Sequence, residues 1–246
     1  MKSKKVVSEW AALNWAELDR RRAETPLVVI PCGAIEVYGP HLPLGSDSYV
    51  AEAVAGRVAD ELGALRAPLI PVGNSADLMS FPGTLTVEPA AFSHYLDGVC
   101  SSLLRWGLNK LLFLNTHLGN VALIDEVANR LVEQQGARCM QIDFWRFAGR
   151  CCSDLLTTPW AAGHAGELGT AVLLHLAGEH VDMERARDFI PDPNPWPAGL
   201  TRYDSYRAIT ATGVLGVPSA GTAEKGAAVV SRCVAEIVAE ARAYFA

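Results

Sequence analysis

Three stretches of this chain gather side chains that bind metal ions and move protons. "GAIEVYGPHLPLGSD" at 33–47 carries Glu36, Tyr38, His41 and Asp47. "NTHLGN" at 115–120 carries His117, and "TPWAAGHAGELGT" at 158–170 carries Trp160, His164 and Glu167. Carboxylate oxygens and an imidazole nitrogen, drawn from separate loops, are the donor set of a divalent ion that keeps a position open for substrate. Glu36, Asp47 and His117 supply that set. Each residue also has a plainer role open to it. Asp47, just ahead of "SYVAEAVAGRV", is a residue type that starts helices. Asn115 and His117 could satisfy orphan amides in a turn, and His164 beside Gly163 could be an ordinary packed histidine. Glu36 is harder to explain as a surface residue, because it follows an apolar strand inside a turn framed by Gly and Pro.

The elements that must position these groups are legible as alternating strands and helices. "PLVVIP" (26–31), "LRAPLIPVG" (65–73), "NKLLFLN" (109–115) and "RCMQIDF" (138–144) are short, apolar and bounded by turn residues. Helical patterns run over 48–62, 89–106 and 120–135. In the last, Val121, Ile124, Val127, Leu131 and Val132 form an apolar stripe. A further helix opens near Gly166 and Gly169, and "GTAEKGAAVVSRCVAEIVAEARAYF" closes the chain. The basic "DRRRAE" at 19–24 reads as a solvated helix end. This alternation predicts a three-layer α/β/α fold with a mostly parallel central sheet, in one domain spanning 1–246. In such sheets ligands gather at the carboxyl ends of the strands, where 33–47 and 115–120 fall, as does "GNSADLMSFPGTLTV". The Pro-rich "PDPNPWPAG" at 191–199 reads as an arm or a wall loop.

Composition narrows the function. Of the 246 residues 50% are hydrophobic and 20% charged, enough for a core that needs no metal staple, so a bound metal would serve chemistry. A net charge of −6 argues against a nucleic-acid partner, which demands clustered cations. No apolar run approaches the ~20 residues of a membrane span, and the N-terminus lacks the apolar stretch of a signal peptide. The six cysteines have no C-x-x-C spacing. They are expected to be reduced thiols in a cytoplasmic protein, with only Cys32 placed near the candidate site.

"GAIEVYGPHLPLGSD", "FPGTLTV", "NTHLGN", "GHAGELGT" and "GVLGVPSAGTAEKG" occur in that order, and together they resemble the successive motifs of the creatininase family of metal-dependent amidohydrolases. The resemblance implies an α/β/α fold, one or two divalent ions and a hexamer assembled as a trimer of dimers. It implies that Glu36, Asp47 and His117 hold the first ion. In the family's opening motif, G-S-x-E-Q-H-G-P-H-L-P-L-x-T-D, a second-ion His stands where this chain has Tyr38. A second-ion Glu stands where it has Gly119. One firmly held ion (Zn, Mn or Fe) is therefore expected, with the second weak or absent, and His41 falls to loop packing or an outer role. Leu118, Gly163 and Gly169 also replace polar family residues, which argues against creatininase activity itself. By resemblance His164 is the general acid or base, Glu167 its orienter or proton acceptor, and Trp160 a pocket wall. Tyr38 becomes either an odd ligand or a donor to an oxyanion. The implied reaction is hydrolysis of a C–N bond in an amide or cyclic amide of a small polar molecule. Alternatives within reach are C–C bond cleavage, a lyase or isomerase reaction on a cyclic polyol ketone, or a non-catalytic homologue.

Overall fold

In the computed structural model, which describes residues 9–191 and 204–246, four parallel strands form one sheet in the order β2-β1-β3-β4. These are β1 (Leu27–Cys32), β2 (Leu65–Arg66), β3 (Lys110–Asn115) and β4 (Arg138–Asp143). β1 and β3 pair in register from Leu27↔Lys110 to Cys32↔Asn115. Their alternate side chains point to opposite faces, as the two-residue period of a strand requires. Leu27, Val29, Leu112 and Leu114 enter one core, while Val28, Ile30, Leu111 and Phe113 enter the other.

Helices cover both faces. The described helices are α1 (Trp15–Glu24), α2 (Ser46–Leu62), α3 (Pro89–Arg105), α4 (Val121–Gln135), α5 (Phe144–Cys151), α6 (Glu167–Ala177), α7 (Tyr206–Ile209) and α8 (Ala223–Phe245). α2, α5, α6 and α8 supply the first core through Val50, Val54, Trp145, Val172, Val230 and Ile237. α3 and α4 supply the second through Phe92, Leu96, Ile124, Val127 and Leu131. Three layers result, as the alternation predicts. Burying residues such as Phe113 or Leu112 contributes roughly 1.5–3 kcal/mol each, so the layers hold together on apolar burial. None of the helices is long and apolar enough to cross a membrane among the described residues.

Two boundaries differ from the sequence expectation. The stretch 65–73 is not one strand: only Leu65–Arg66 joins the ladder, and Ile70 makes an isolated bridge to Cys32. Pro68 and Pro71 have no N–H to give a neighbouring strand, which breaks the ladder there. The fourth strand stops at Asp143, whose carboxylate accepts from Arg146 N at 3.4 Å and starts α5 at once. α1 opens with a capping box in which Asn14 and Glu17 satisfy each other's amides. Apart from Pro191, the Pro-rich stretch expected at 191–199 lies outside the described residues.

Candidate metal centre and active site

The loops that carry Glu36 and His117 leave the carboxyl ends of β1 and β3, while His164 lies in the connection between α5 and α6. Glu36 follows β1 in a loop that closes on itself through Glu36 N to Leu44 O, 2.9 Å. Gly33 allows the turn, because a Cβ there would stand 2.7 Å from Ser48 Cα at the start of α2. Asp47 lies in the first turn of α2, where the helix dipole favours a carboxylate. His117 follows β3, and Asn115 stitches its turn by donating from Nδ2 to His117 O at 2.7 Å and accepting from His117 N at 3.2 Å. Asn120 ties three loops together, donating to Gly33 O at 3.0 Å and accepting from Asn74 N at 3.0 Å.

The three expected ligands converge. Glu36, Asp47 and His117 are buried, and one ligand atom from each lies within 4.8 Å of the others. His117 Nε2 is 2.7 Å from the carbonyl oxygen of Asn74. A carbonyl only accepts, so that nitrogen carries a proton and Nδ1 faces the carboxylates. Nδ1 lies 2.9 Å from Glu36 Oε2 and 3.4 Å from Asp47 Oδ2. Ser75 Oγ donates to Glu36 Oε2 at 2.7 Å, and Trp145 Nε1 donates to Asp47 Oδ1 at 3.0 Å. Two buried carboxylates meeting at one point require positive charge there, from a proton or a metal ion. Burial disfavours an imidazolium at His117, yet hydrogen bonding and attraction from Asp47 and Glu36 outweigh it and push the ring up to about 11. Glu36 is drawn down to about 2 against its burial by His117 and His164. Asp47 is raised to about 6 by burial and by the Glu36 charge.

His164 stands across Glu36. Its Nδ1 donates to Gly213 O at 2.7 Å, which leaves Nε2 facing Glu36 Oε1 at 3.2 Å. The backbone on either side is held in the left-handed region, with φ of 55° at Trp160 and 53° at Ala165. Leu215 closes on the turn by donating its N–H to His164 O at 2.8 Å. Burial disfavours a charged His164, but the Glu36 carboxylate and the Gly213 carbonyl raise it above the ordinary imidazole value. Tyr38 packs against the His164 ring at 4.6 Å between centroids. Burial and the charges of Asp47 and Glu36 hold its phenol neutral.

These groups form the floor of a cavity of about 300 Å³ whose walls include Leu78, Trp145, Leu168, Tyr206 and Leu215. Asp77 joins the lining, and no Lys or Arg among the described residues does.

Three expectations need correction. Glu167 does not orient His164. Its carboxylate is buried away from the cavity and accepts from the N–H and O–H groups of Thr157 and Thr158, and it is ion-paired to Lys225. The partner that orients His164 is the Gly213 carbonyl. Trp160 does not wall the cavity; its side chain is 43% exposed, and Trp145 takes that place. Cys32 is fully buried and does not line the cavity, and desolvation pushes its thiol up to about 12, which disfavours the nucleophilic thiolate. His41 packs its loop against α6, with Nε2 2.9 Å from Thr170 Oγ1. Ser75, Trp145 and Asn74 escaped the sequence reading. Their signal was position alone, since each follows an apolar segment at the same edge of the sheet as Glu36 and His117.

The likeness to known proteins extends over this whole architecture. The sequence model of the creatininase family, described as creatinine amidohydrolase, matches residues 11–241. The chain belongs to the creatininase family. Family membership makes it a hydrolase of the amidohydrolase type. A mycofactocin precursor peptide peptidase of Mycobacterium tuberculosis (strain CDC 1551 / Oshkosh) is 35% identical over 246 residues, covering 94% of this chain and 91% of its own. A creatinine amidohydrolase of Pseudomonas putida is 27% identical over 250 residues, covering 95% of both chains. A solved creatininase described with Mn superposes with a TM-score of 0.84 at 26% identity, covering 96% of this chain and 97% of that one.

Proposed function

We propose that this creatininase-family member hydrolyses an amide C–N bond, peptide bonds included, and that it does so with one divalent ion. The observation that carries the reading is the meeting of Glu36, Asp47 and the Nδ1 side of His117 on the floor of a largely apolar cavity. The donor set fits such an ion: two carboxylates, and an imidazole whose far nitrogen is held by the Asn74 carbonyl as metal-binding histidines usually are. An ion held there would supply a Lewis acid for the carbonyl and lower the pKa of bound water from 15.7 towards about 7.

The chain's own residues supply the rest. Ser75 and Trp145 fix the two carboxylates in place. His164, with Nδ1 fixed on Gly213, holds a proton at Nε2 that can pass to the departing amine. Tyr38 offers a neutral O–H toward the cavity, with no hydrogen-bond partner among the described residues, and would donate to the developing oxyanion. Leu78, Leu168, Leu215 and Tyr206 exclude water around the scissile bond and favour an apolar group beside it.

A single ion is supported by sterics as well as by missing ligands. The Tyr38 ring fills the space over Gly169, where a Cβ would stand 3.0 Å from Tyr38 Cε1. At Gly119 a Cβ would stand 2.0 Å from Asn74 O, so no longer side chain fits at that position with this backbone. The name of the 35%-identical relative favours a peptide over a creatinine-like ring as substrate.

A panel of short peptides and N-acyl amines, digested in oxygen-18 water with Mn-loaded protein, tests the reaction. One label per turnover in the new carboxylate is the expected result. Products without label would mean a lyase or isomerase reaction instead.

A further inference from the structure

A second set of ligand-type side chains lies outside the active-site cavity. Cys151 ends α5, Cys152 follows it, and Cys233 sits in α8. Their three sulfurs form a closed triangle with edges of 3.4 Å (Cys151–Cys152), 3.5 Å (Cys151–Cys233) and 3.9 Å (Cys152–Cys233). A disulfide requires about 2.05 Å, so these are separate thiols. A metal ion bound to three thiolates at ~2.3 Å, in tetrahedral or trigonal geometry, sets sulfur–sulfur edges of roughly 3.7–4.0 Å. The triangle is within a few tenths of an ångström of that.

We propose that Cys151, Cys152 and Cys233 form a three-thiolate site for one soft, thiophilic metal ion such as Zn(II), Cd(II) or Cu(I). The donor chemistry separates it from the Glu36–Asp47–His117 centre, because all-sulfur sites select soft ions while carboxylate-rich sites accept Mn(II) and its like. Packing between α5 and α8 brings the three thiols together before any ion arrives. Arg232 lies beside them, donating from Nη1 to Cys151 O at 3.1 Å while its charge is paired with Asp154. Cys152 and Cys233 are buried, whereas Cys151 is half-buried and opens on a surface groove with Asp143, Arg146 and Arg150. That groove gives an entry path and room for a water or an external thiol as a further ligand. On binding, each thiol releases its proton to solvent as its sulfur–metal bond forms, and no electron is transferred. Because binding releases those protons, affinity should rise with pH.

Reduced, metal-stripped protein titrated with Cd(II) tests the site through the sulfur-to-cadmium charge-transfer absorption in the ultraviolet. The band should saturate at one equivalent and persist in Glu36→Ala. It should weaken at least tenfold in Cys151→Ser and in Cys233→Ser. Cys151→Ser is the safer variant for folding because that side chain is only half-buried, and circular dichroism verifies both. Absence of the band would overturn the proposal, as would a band unchanged in both variants. So would a count of four free thiols in protein purified without reductant and then denatured, since that identifies a disulfide pair.

Discussion

Tyr38 and His164 face each other across the cavity floor, and their roles follow from which atoms are already engaged. His164 spends Nδ1 on the Gly213 carbonyl, so Nε2 alone can exchange a proton with substrate. Replacing it with Ala should lower kcat by about 10²–10⁴-fold, the span expected for losing a general acid, while leaving metal content unchanged. A loss of metal along with activity would make it a ligand instead. Tyr38 has no hydrogen-bond partner for its O–H among the described residues, and its phenol is held neutral by burial and two carboxylates. Tyr38→Phe keeps the packing against His164 and should cost up to about 10²-fold in kcat, the lower end for one oxyanion donor. Unchanged kcat/KM across the peptide panel would reduce Tyr38 to a space-filler over Gly169.

At the scale of elements, the ion pair between Glu167 and Lys225 ties the start of α6 to the start of α8. Both helices crowd here: a Cβ on Gly226 would stand 1.9 Å from Ala171 O. Lys225→Met leaves the Glu167 charge buried and should destabilise the protein by on the order of 3 kcal/mol, read by urea denaturation at neutral pH. Glu167 also gives a pH signature. Burial opposes its charge, but Lys225 and the two threonines draw it from 4.5 to about 2. A lowered carboxyl contributes stability in full above its unfolded value and loses it as pH falls through the folded one. Stability should therefore drop between about pH 5 and pH 2, and Glu167→Gln should flatten that limb. An unaltered acid limb in the variant would assign it to other carboxylates. The elements themselves were largely legible in the sequence, because β1 and β3 are short apolar runs bounded by turn residues and α2 and α4 stop at left-handed glycines, Gly63 and Gly136. The site was legible where a residue type announces its chemistry, as at Glu36, Asp47 and His117. Glu167 misled because adjacency in "GHAGELG" says nothing of direction: α6 turns its carboxylate towards Lys225, 58 residues downstream. Trp145 and Ser75 were invisible for the opposite reason, as an indole and a hydroxyl gain meaning only once the sheet edge places them on Asp47 and Glu36.

Across the whole molecule, the segments that follow the four parallel strands meet at one edge, and two apolar cores hold that edge in place without help from a metal. Removing the ion should therefore abolish activity and leave the fold standing, with His117→Ala as the genetic equivalent. Mn(II) is the ion to use, since it fills the carboxylate–imidazole centre and not the cysteine cluster. The most direct measurement strips the protein with chelator, titrates Mn(II) back, and follows amide hydrolysis against metal bound per chain. Activity that rises from none and saturates at one equivalent is the predicted result. Saturation only at two equivalents, or full activity in the stripped protein, would contradict a single-ion hydrolase.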